Sequence, residues 1–286
     1  MTSAFCPSHV TCFFKPYVSG GVLERGSAGA GIRLGAGTTV HVCEVSGRTR
    51  VSINGEEDEA RVTRHVLESM APGRGFEVDA ECALPLGQGF GTSASGAVAA
   101  ALCASEIVGK GREEAFEAAH AAEVVCGGGL GDVAGLMHEW HAPLRIFAGM
   151  PPTGRVVNGG ISFERVTLAV LGGRVSTAGV LGDEARMGRI CAAGATAMNM
   201  FAEHRTKDRL FEASGRFSSE AGLRGPEVAA AMHALDGAGI RSLMCMLGNS
   251  ILAEAGEDEV RGVLGDGCLL ASTSSTAEPA RVTRKA

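Results

Sequence analysis

The sequence predicts an α+β protein in two lobes, and three observations carry that expectation. Strand-like and helix-like runs are interleaved along the chain, and turn signals between some strands argue against a purely parallel sheet. A Pro/Gly-rich stretch at residues 150–160 marks a boundary near the middle, giving lobes at 1–160 and 161–286.

In chain order, residues 10–14 form a short apolar run after Pro7, and residues 38–45 alternate, with Val40, Val42 and Val45 among polar residues. Ser46-Gly47 and a second run at 48–53 suggest a hairpin partner for that strand. Asn54-Gly55 closes it, residues 57–70 read as a helix with an acidic first turn, and Pro72-Gly73 stops the helix. Phe76, Val78, Ala80 and Cys82 alternate into a further strand. Helices are expected at 93–108 and 112–125, and a strand at 144–148. Beyond the boundary come a strand at 166–171 and a long helix at 183–204. Further helices follow at 209–221 and 226–235, with strands at 242–247 and 268–272. The polar, basic end at 278–286 reads as a frayed tail.

The 286 residues are enough for sizeable cores, and 45% hydrophobic with 20% charged residues describes a globular protein. A net charge of −6 leaves no electrostatic footprint for nucleic acid or an anionic membrane. The nine cysteines are odd in number and show no CxxC spacing, so buried free thiols in a reducing cytoplasm are expected. The N-terminus lacks a charged leader followed by a long apolar core, and no apolar run reaches the ~18 residues a membrane span needs.

Chemistry concentrates in Pro85-Leu-Gly-Gln-Gly-Phe-Gly-Thr-Ser-Ala-Ser-Gly96. Gly87, Gly89 and Gly91 precede three hydroxyls, Thr92, Ser93 and Ser95, and then an alanine-rich helical run. The loop therefore becomes the first turn of a helix, where unpaired N–H groups and the dipole favour an anion. Glycines admit the ligand to the backbone, and hydroxyls add donors or a metal ligand. It is neither a P-loop, since Ala97 stands where a lysine would follow, nor a GxGxxG fingerprint. The competing reading, a core helix entered through a flexible turn, does not account for the ordered glycines and hydroxyls.

Glu123 and Asp132 flank a second glycine-rich segment, 127–135. Either carboxylate alone reads as a cap or a solvated helix residue. Beside a phosphate cradle they supply what phosphoryl transfer requires: an oxygen ligand for Mg²⁺ and a group to take the acceptor's proton. His138-Glu139-Trp140-His141 lacks HExxH spacing and reads as structural, and His120 on the Glu123 helix reads either as a support behind the site or as a plain helix residue.

PLGQGFGTSASG resembles the second motif of the GHMP kinases, the family of galactokinase, homoserine kinase and mevalonate kinase. FCPSHVTCFF resembles their first motif, and Glu123 with GLGDVAG resembles their magnesium glutamate and catalytic aspartate. Within the family, CPSHVTCFF, GSAGAGIRL at 26–34, AEVVCGGGLGDVAG and the late MLGNSILA are similar to an archaeal branch. That branch phosphorylates pantoate to 4-phosphopantoate on the route to coenzyme A. The resemblance implies an N-terminal mixed sheet with helices, a C-terminal α/β sandwich lobe, ATP and Mg²⁺, a small-molecule acceptor and a homodimer. It also implies that Pro85, Gly87, Gly89, Phe90, Gly91, Thr92, Ser93, Ala94 and Ser95 hold the ATP phosphates. Ser93 and Glu123 would hold the metal, and Asp132 with His9 would act on the acceptor hydroxyl. Pantoate is a small carboxylate with two hydroxyls, so its site needs amides or a cation. Ser27, Gly29 and Arg33 are the candidates, while the same stretch also reads as a glycine turn before the strand at 38. Two departures stand out: His9 replaces the lysine of mevalonate kinase-like members, and the third glycine motif is reduced to MLGNS around Gly248 and Asn249. Other acceptors, such as homoserine, mevalonate or a sugar, and a non-catalytic nucleotide-binding relative remain the alternatives.

Overall fold

The computed structural model describes residues 1–175, 179 and 183–285. Two long antiparallel strands, β1 (Thr2–Tyr17) and β2 (Gly26–Val45), are its spine, registered from Thr2↔Val42 to Tyr17↔Gly26. The GSAGAGIRL stretch is thus strand over its whole length. It carries glycines because neighbouring side chains occupy the space above it: a Cβ on Gly31 would lie 2.2 Å from His9 Nε2.

The expected hairpin between 38–45 and 48–53 does not form. Strand β3 (Arg50–Ile53) pairs in parallel with β5 (Gly75–Cys82), which itself lies between β3 and β2. The reason is burial: Phe76, Val78 and Ala80 present a sheltered face that favours a central place for β5. Asn54 and Gly55, both at positive φ (51° and 82°), instead turn β3 into the short β4 (Glu56–Glu57). Helix α1 (Arg61–Met70) consequently starts four residues later than expected, and its first turn holds no acid.

Helices α2 (Thr92–Val108) and α3 (Arg112–Cys126) pack over this sheet. Ala97 to Ala101 of α2 are fully buried, and their small side chains let α1, α3 and both long strands approach closely. The short α4 (Asp132–Leu136) follows the second glycine segment, and β6 (Pro143–Phe147) pairs with β2 and with β7 (Arg155–Asn158).

The rest of the chain builds a four-stranded antiparallel sheet, order β11-β8-β10-β9, from β8 (Val166–Val170), β9 (Ser242–Met244), β10 (Ser250–Ala253) and β11 (Leu269–Thr273). Helices α5 (Glu184–Glu203), α6 (Lys207–Glu220), α7 (Pro226–Gly237) and α8 (Glu257–Leu264) accompany it. Asp183 caps α5, its side chain accepting from the Arg186 N–H. This is the two-lobed α+β architecture the sequence predicts.

The end of the chain corrects the frayed-tail expectation. Strand β12 (Arg281–Arg284) adds to the outer edge of β1 in the N-terminal sheet, and Lys285 pairs with Glu106 at 2.8 Å. Ala286 lies outside the described residues. The polar look of this segment follows from its place at a sheet edge, where one face meets solvent.

Candidate active site

A cleft opens between the two lobes, walled by Thr11 and Phe14 of β1, Ser27 of β2, the loop into α2, Glu123 of α3, the glycine segment into α4, and Val175, Met246 and Leu247 of the C-terminal lobe. The loop before α2 forms one wall. Gly87, Gly89 and Gly91 all adopt left-handed conformations, with φ of 71°, 73° and 67°. Gly91 is the helix N-cap, and a Cβ there would sit 2.4 Å from the His9 carbonyl oxygen, so only glycine fits. Thr92, Ser93 and Ala94 line the cleft at the helix start, where their N–H groups have no intrahelical acceptor.

The C-terminal lobe holds this loop by direct bonds. Ser250 Oγ donates to the Gln88 carbonyl at 2.5 Å and Val175 N donates to Gly87 O at 3.1 Å, while Met246 N ties the same lobe to β1 by donating to Thr11 O at 3.2 Å. Leu247, a non-glycine residue at φ 64°, lines the cleft beside them. The reduced MLGNS motif therefore acts as a brace on the phosphate loop.

Ser93 Oγ donates to Glu123 Oε1 at 2.5 Å. Glu123 is buried, and desolvation pushes its carboxyl up to about 7, with the Ser93 bond opposing that rise and Asp132 adding to it. The two residues offer oxygen ligands only, and no cation pairs with Glu123 among the described residues. That donor set suits a hard divalent ion such as Mg²⁺. No cluster of three or more His, Cys, Asp or Glu side chains that could hold a metal exists among the described residues, and His138 stacks on Trp140 as a structural residue.

Across the cleft, Asp132 opens α4. Its Oδ1 accepts from Thr11 Oγ1 at 2.9 Å and from His9 Nδ1 at 2.6 Å. His9 is fully buried, and its Nε2 lies 3.4 Å from Arg145 Nη1. A guanidinium only donates, so Nε2 is the acceptor and the proton of a neutral imidazole sits on Nδ1. Burial and then the pull of Asp132 act in opposite senses on His9. Burial prevails, with Arg145 and Arg33 adding to it, and His9 titrates below its ordinary value. Burial would raise Asp132, but the bonds from His9 and Thr11 and the charge of Arg145 outweigh it and keep the carboxylate ionised. With Oδ1 engaged twice, Oδ2 is the atom left for an acceptor.

Of the candidates read from sequence, Gly87, Gly89, Phe90, Gly91, Thr92, Ser93, Ala94, Glu123, Asp132 and Ser27 line the cleft. His9 stands directly behind Asp132. Pro85 lies outside the wall, and Ser95 turns away, its hydroxyl bonded to Thr38 Oγ1 at 2.7 Å and its N–H to Gly91 O at 2.9 Å. Arg33 does not reach the cleft; its guanidinium donates to the Glu278 carbonyl, and Gly29 is covered by Phe13 and Arg145. The cation near the site is Arg145, whose Nε donates to Ser27 O at 3.2 Å and whose Nη2 is buried without a partner. Sequence reading missed Arg145 and Thr11. Arg145 was visible as the lone charge inside an apolar strand, a placement that calls for a buried partner.

Residues 60–139 match the GHMP kinases N-terminal domain family. The pantoate kinase of Thermococcus kodakarensis is 34% identical over 270 residues, 90% of this chain and 88% of that protein. The chain belongs to the GHMP kinase superfamily. It is therefore an ATP-dependent phosphotransferase acting on a small metabolite, in a family that generally uses ATP and Mg²⁺. Among solved structures, a phosphotransferase related to the CoA biosynthesis pathway superposes with a TM-score of 0.87 at 31% identity, covering 99% of this chain and 98% of that one. A putative homoserine kinase from Listeria monocytogenes shares the GHMP fold at a TM-score of 0.66 and 14% identity, covering 100% of each chain. No helix among the described residues is long and apolar enough to cross a membrane.

Proposed function

We propose that this GHMP kinase transfers the terminal phosphoryl group of ATP to the primary hydroxyl of (R)-pantoate, giving (R)-4-phosphopantoate and ADP. The observation that carries the reading is the meeting of Arg145 and Ser27 at Gly131, beside Asp132. A Cβ on Gly131 would lie 2.7 Å from Arg145 Nε and 2.3 Å from Ser27 Oγ. A small hydroxy acid fits that end of the cleft, its hydroxyl on Asp132 Oδ2 and its carboxylate toward the Ser27 hydroxyl and the field of Arg145. The names of the T. kodakarensis and Methanospirillum hungatei relatives, both pantoate kinases, support the same acceptor.

In the reaction, the acceptor oxygen forms the new P–O bond as the bond from phosphorus to the ADP oxygen breaks. The hydroxyl proton passes to Asp132 Oδ2. His9 and Thr11 keep the carboxylate aimed, and Arg145 holds His9 in the tautomer that donates to it. The free N–H groups at the start of α2, with Gly87, Gly89 and Gly91, cradle the phosphates. Ser93 and Glu123 would hold Mg²⁺, which offsets phosphate charge when bound.

An acceptor panel tests the reading: with ATP and Mg²⁺, pantoate should turn over well ahead of homoserine, mevalonate or sugars. Turnover of homoserine without turnover of pantoate discards it. The homodimer belongs to the same reading and is checked by light scattering, where a monomer mass at working concentration removes it.

A further inference from the structure

The cleft wall contains two carboxylates, Glu123 and Asp132, and no lysine or arginine among the described residues. A nucleotide triphosphate is strongly anionic, and helix-end amides with one divalent ion leave part of that charge uncompensated. The loop also lacks the lysine by which a P-loop meets this need. A basic residue from elsewhere in the chain would meet that need.

We propose that Arg174 is that residue, a phosphate-binding cation that the C-terminal lobe lays across the first glycine of the loop. Its aliphatic stem runs along Gly87, with Cβ, Cγ and Cδ 3.1, 3.1 and 3.2 Å from where a Gly87 Cβ would be. The backbone around it is pinned to the phosphate loop and its brace. Val175 N donates to Gly87 O, Gln88 Nε2 to Gly172 O at 3.0 Å, and Asn249 Nδ2 to Gly173 O at 2.9 Å. Leu171 N donates to Asn249 O at 2.8 Å. Segment 171–175 thus holds its place by bonds that a generic surface loop would not make to this motif. The Arg174 guanidinium has no hydrogen bond or ion pair among the described residues, so its donors are available to a ligand. An arginine suits the role because its planar fork matches phosphate oxygens in pairs. This places a contact to the phosphate chain on the C-terminal lobe. The inference needs ATP as donor and does not depend on pantoate as acceptor.

Calorimetric titration of wild type, Arg174→Met and Arg174→Lys with Mg-ATP and with adenosine tests it. Arg174→Met keeps the stem and removes the charge, so its ATP affinity should fall about tenfold or more while adenosine affinity and melting temperature hold. Arg174→Lys should recover part of the loss, and the dependence of ATP affinity on salt should be shallower in Arg174→Met. Unchanged ATP affinity overturns the assignment. So does an equal loss for ATP and adenosine, because that result would trace to the stem's packing and not to its charge. An acceptor panel that rejects pantoate would leave both titrations standing, so the two readings fail separately.

Discussion

Glu123 should make the metal-free protein less stable as pH rises, and Glu123→Gln should abolish that trend. The folded carboxyl titrates at about 7 against an unfolded value of 4.5, raised first by burial. Between those values the folded chain holds a proton that the unfolded chain has released, so the folded state is favoured at the acid end. The advantage is full below pH 4.5 and is gone once pH passes 7. Its size is (7 − 4.5) × 1.36, or about 3 kcal/mol. For a chain of this length that corresponds to roughly 6 °C or more in melting temperature. Thermal melts of wild type and Glu123→Gln across pH 4.5–8.5 with chelator read the difference, because titrating groups that do not interact with Glu123 cancel in the comparison. Wild type should lose stability relative to the variant on going from acid to neutral pH. Saturating Mg²⁺ should restore it only in wild type and only above about pH 7, where the carboxylate is ionised. A constant gap between the two proteins, or a gap that widens in favour of wild type toward alkaline pH without metal, refutes the reasoning.

Asp132→Asn should cut phosphoryl transfer by about 10²–10⁴ while nucleotide binding survives, measured by single-turnover kinetics beside a binding titration. Arg145→Met should raise the KM for the acceptor and slow kcat with the KM for ATP unchanged, because Arg145 meets Ser27 and His9 and not the phosphate loop. Gly31→Ala should lower activity by displacing His9, whose Nε2 would lie 2.2 Å from the new Cβ; a fully active variant would show that His9 does not position Asp132. Gly91→Ala should cost both folding stability and ATP affinity, since it adds a Cβ at φ 67° against the His9 carbonyl, as melts and titrations would show.

What the sequence disclosed depended on how local the determinant is. The phosphate loop was legible because its glycines must reach left-handed conformations within a few residues of a helix start, and that requirement is written in adjacent letters. Glu123 and Asp132 were legible only beside that loop. Pairings between distant strands were not: β3 looked like the hairpin partner of β2, yet Phe76, Val78 and Ala80 put β5 between them. The tail looked frayed because its partner, β1, lies nearly a whole chain length away. Arg33 and Arg145 show the same limit at the site. Both are fully buried arginines on neighbouring strands, and only the register Gly29↔Arg145 determines which one reaches Asp132 through His9.

That register also explains how this chain manages without a lysine in its first motif. A lysine there would put a compact positive charge in direct contact with the aspartate. Here a neutral His9 makes the contact, and the charge of Arg145 stands one imidazole further away. The hydrogen bonds from His9 and Thr11, with the charge of Arg145 behind them, hold Asp132 below its ordinary value, so it enters the reaction as a carboxylate aimed at the acceptor hydroxyl. The arrangement needs room for an imidazole ring and a planar guanidinium beside β2, and the room comes from glycines. Gly31 and Gly135 make space for His9, and Gly131 for Arg145. Gly128 and Gly129 of the second glycine segment lie instead against the Glu123 carboxylate. Replacing His9 with lysine should clash with Arg145 by like-charge repulsion, so His9→Lys should stay poorly active until Arg145 is also neutralised, as in the double variant with Arg145→Met. If His9→Lys alone is fully active, Arg145 does not act through His9.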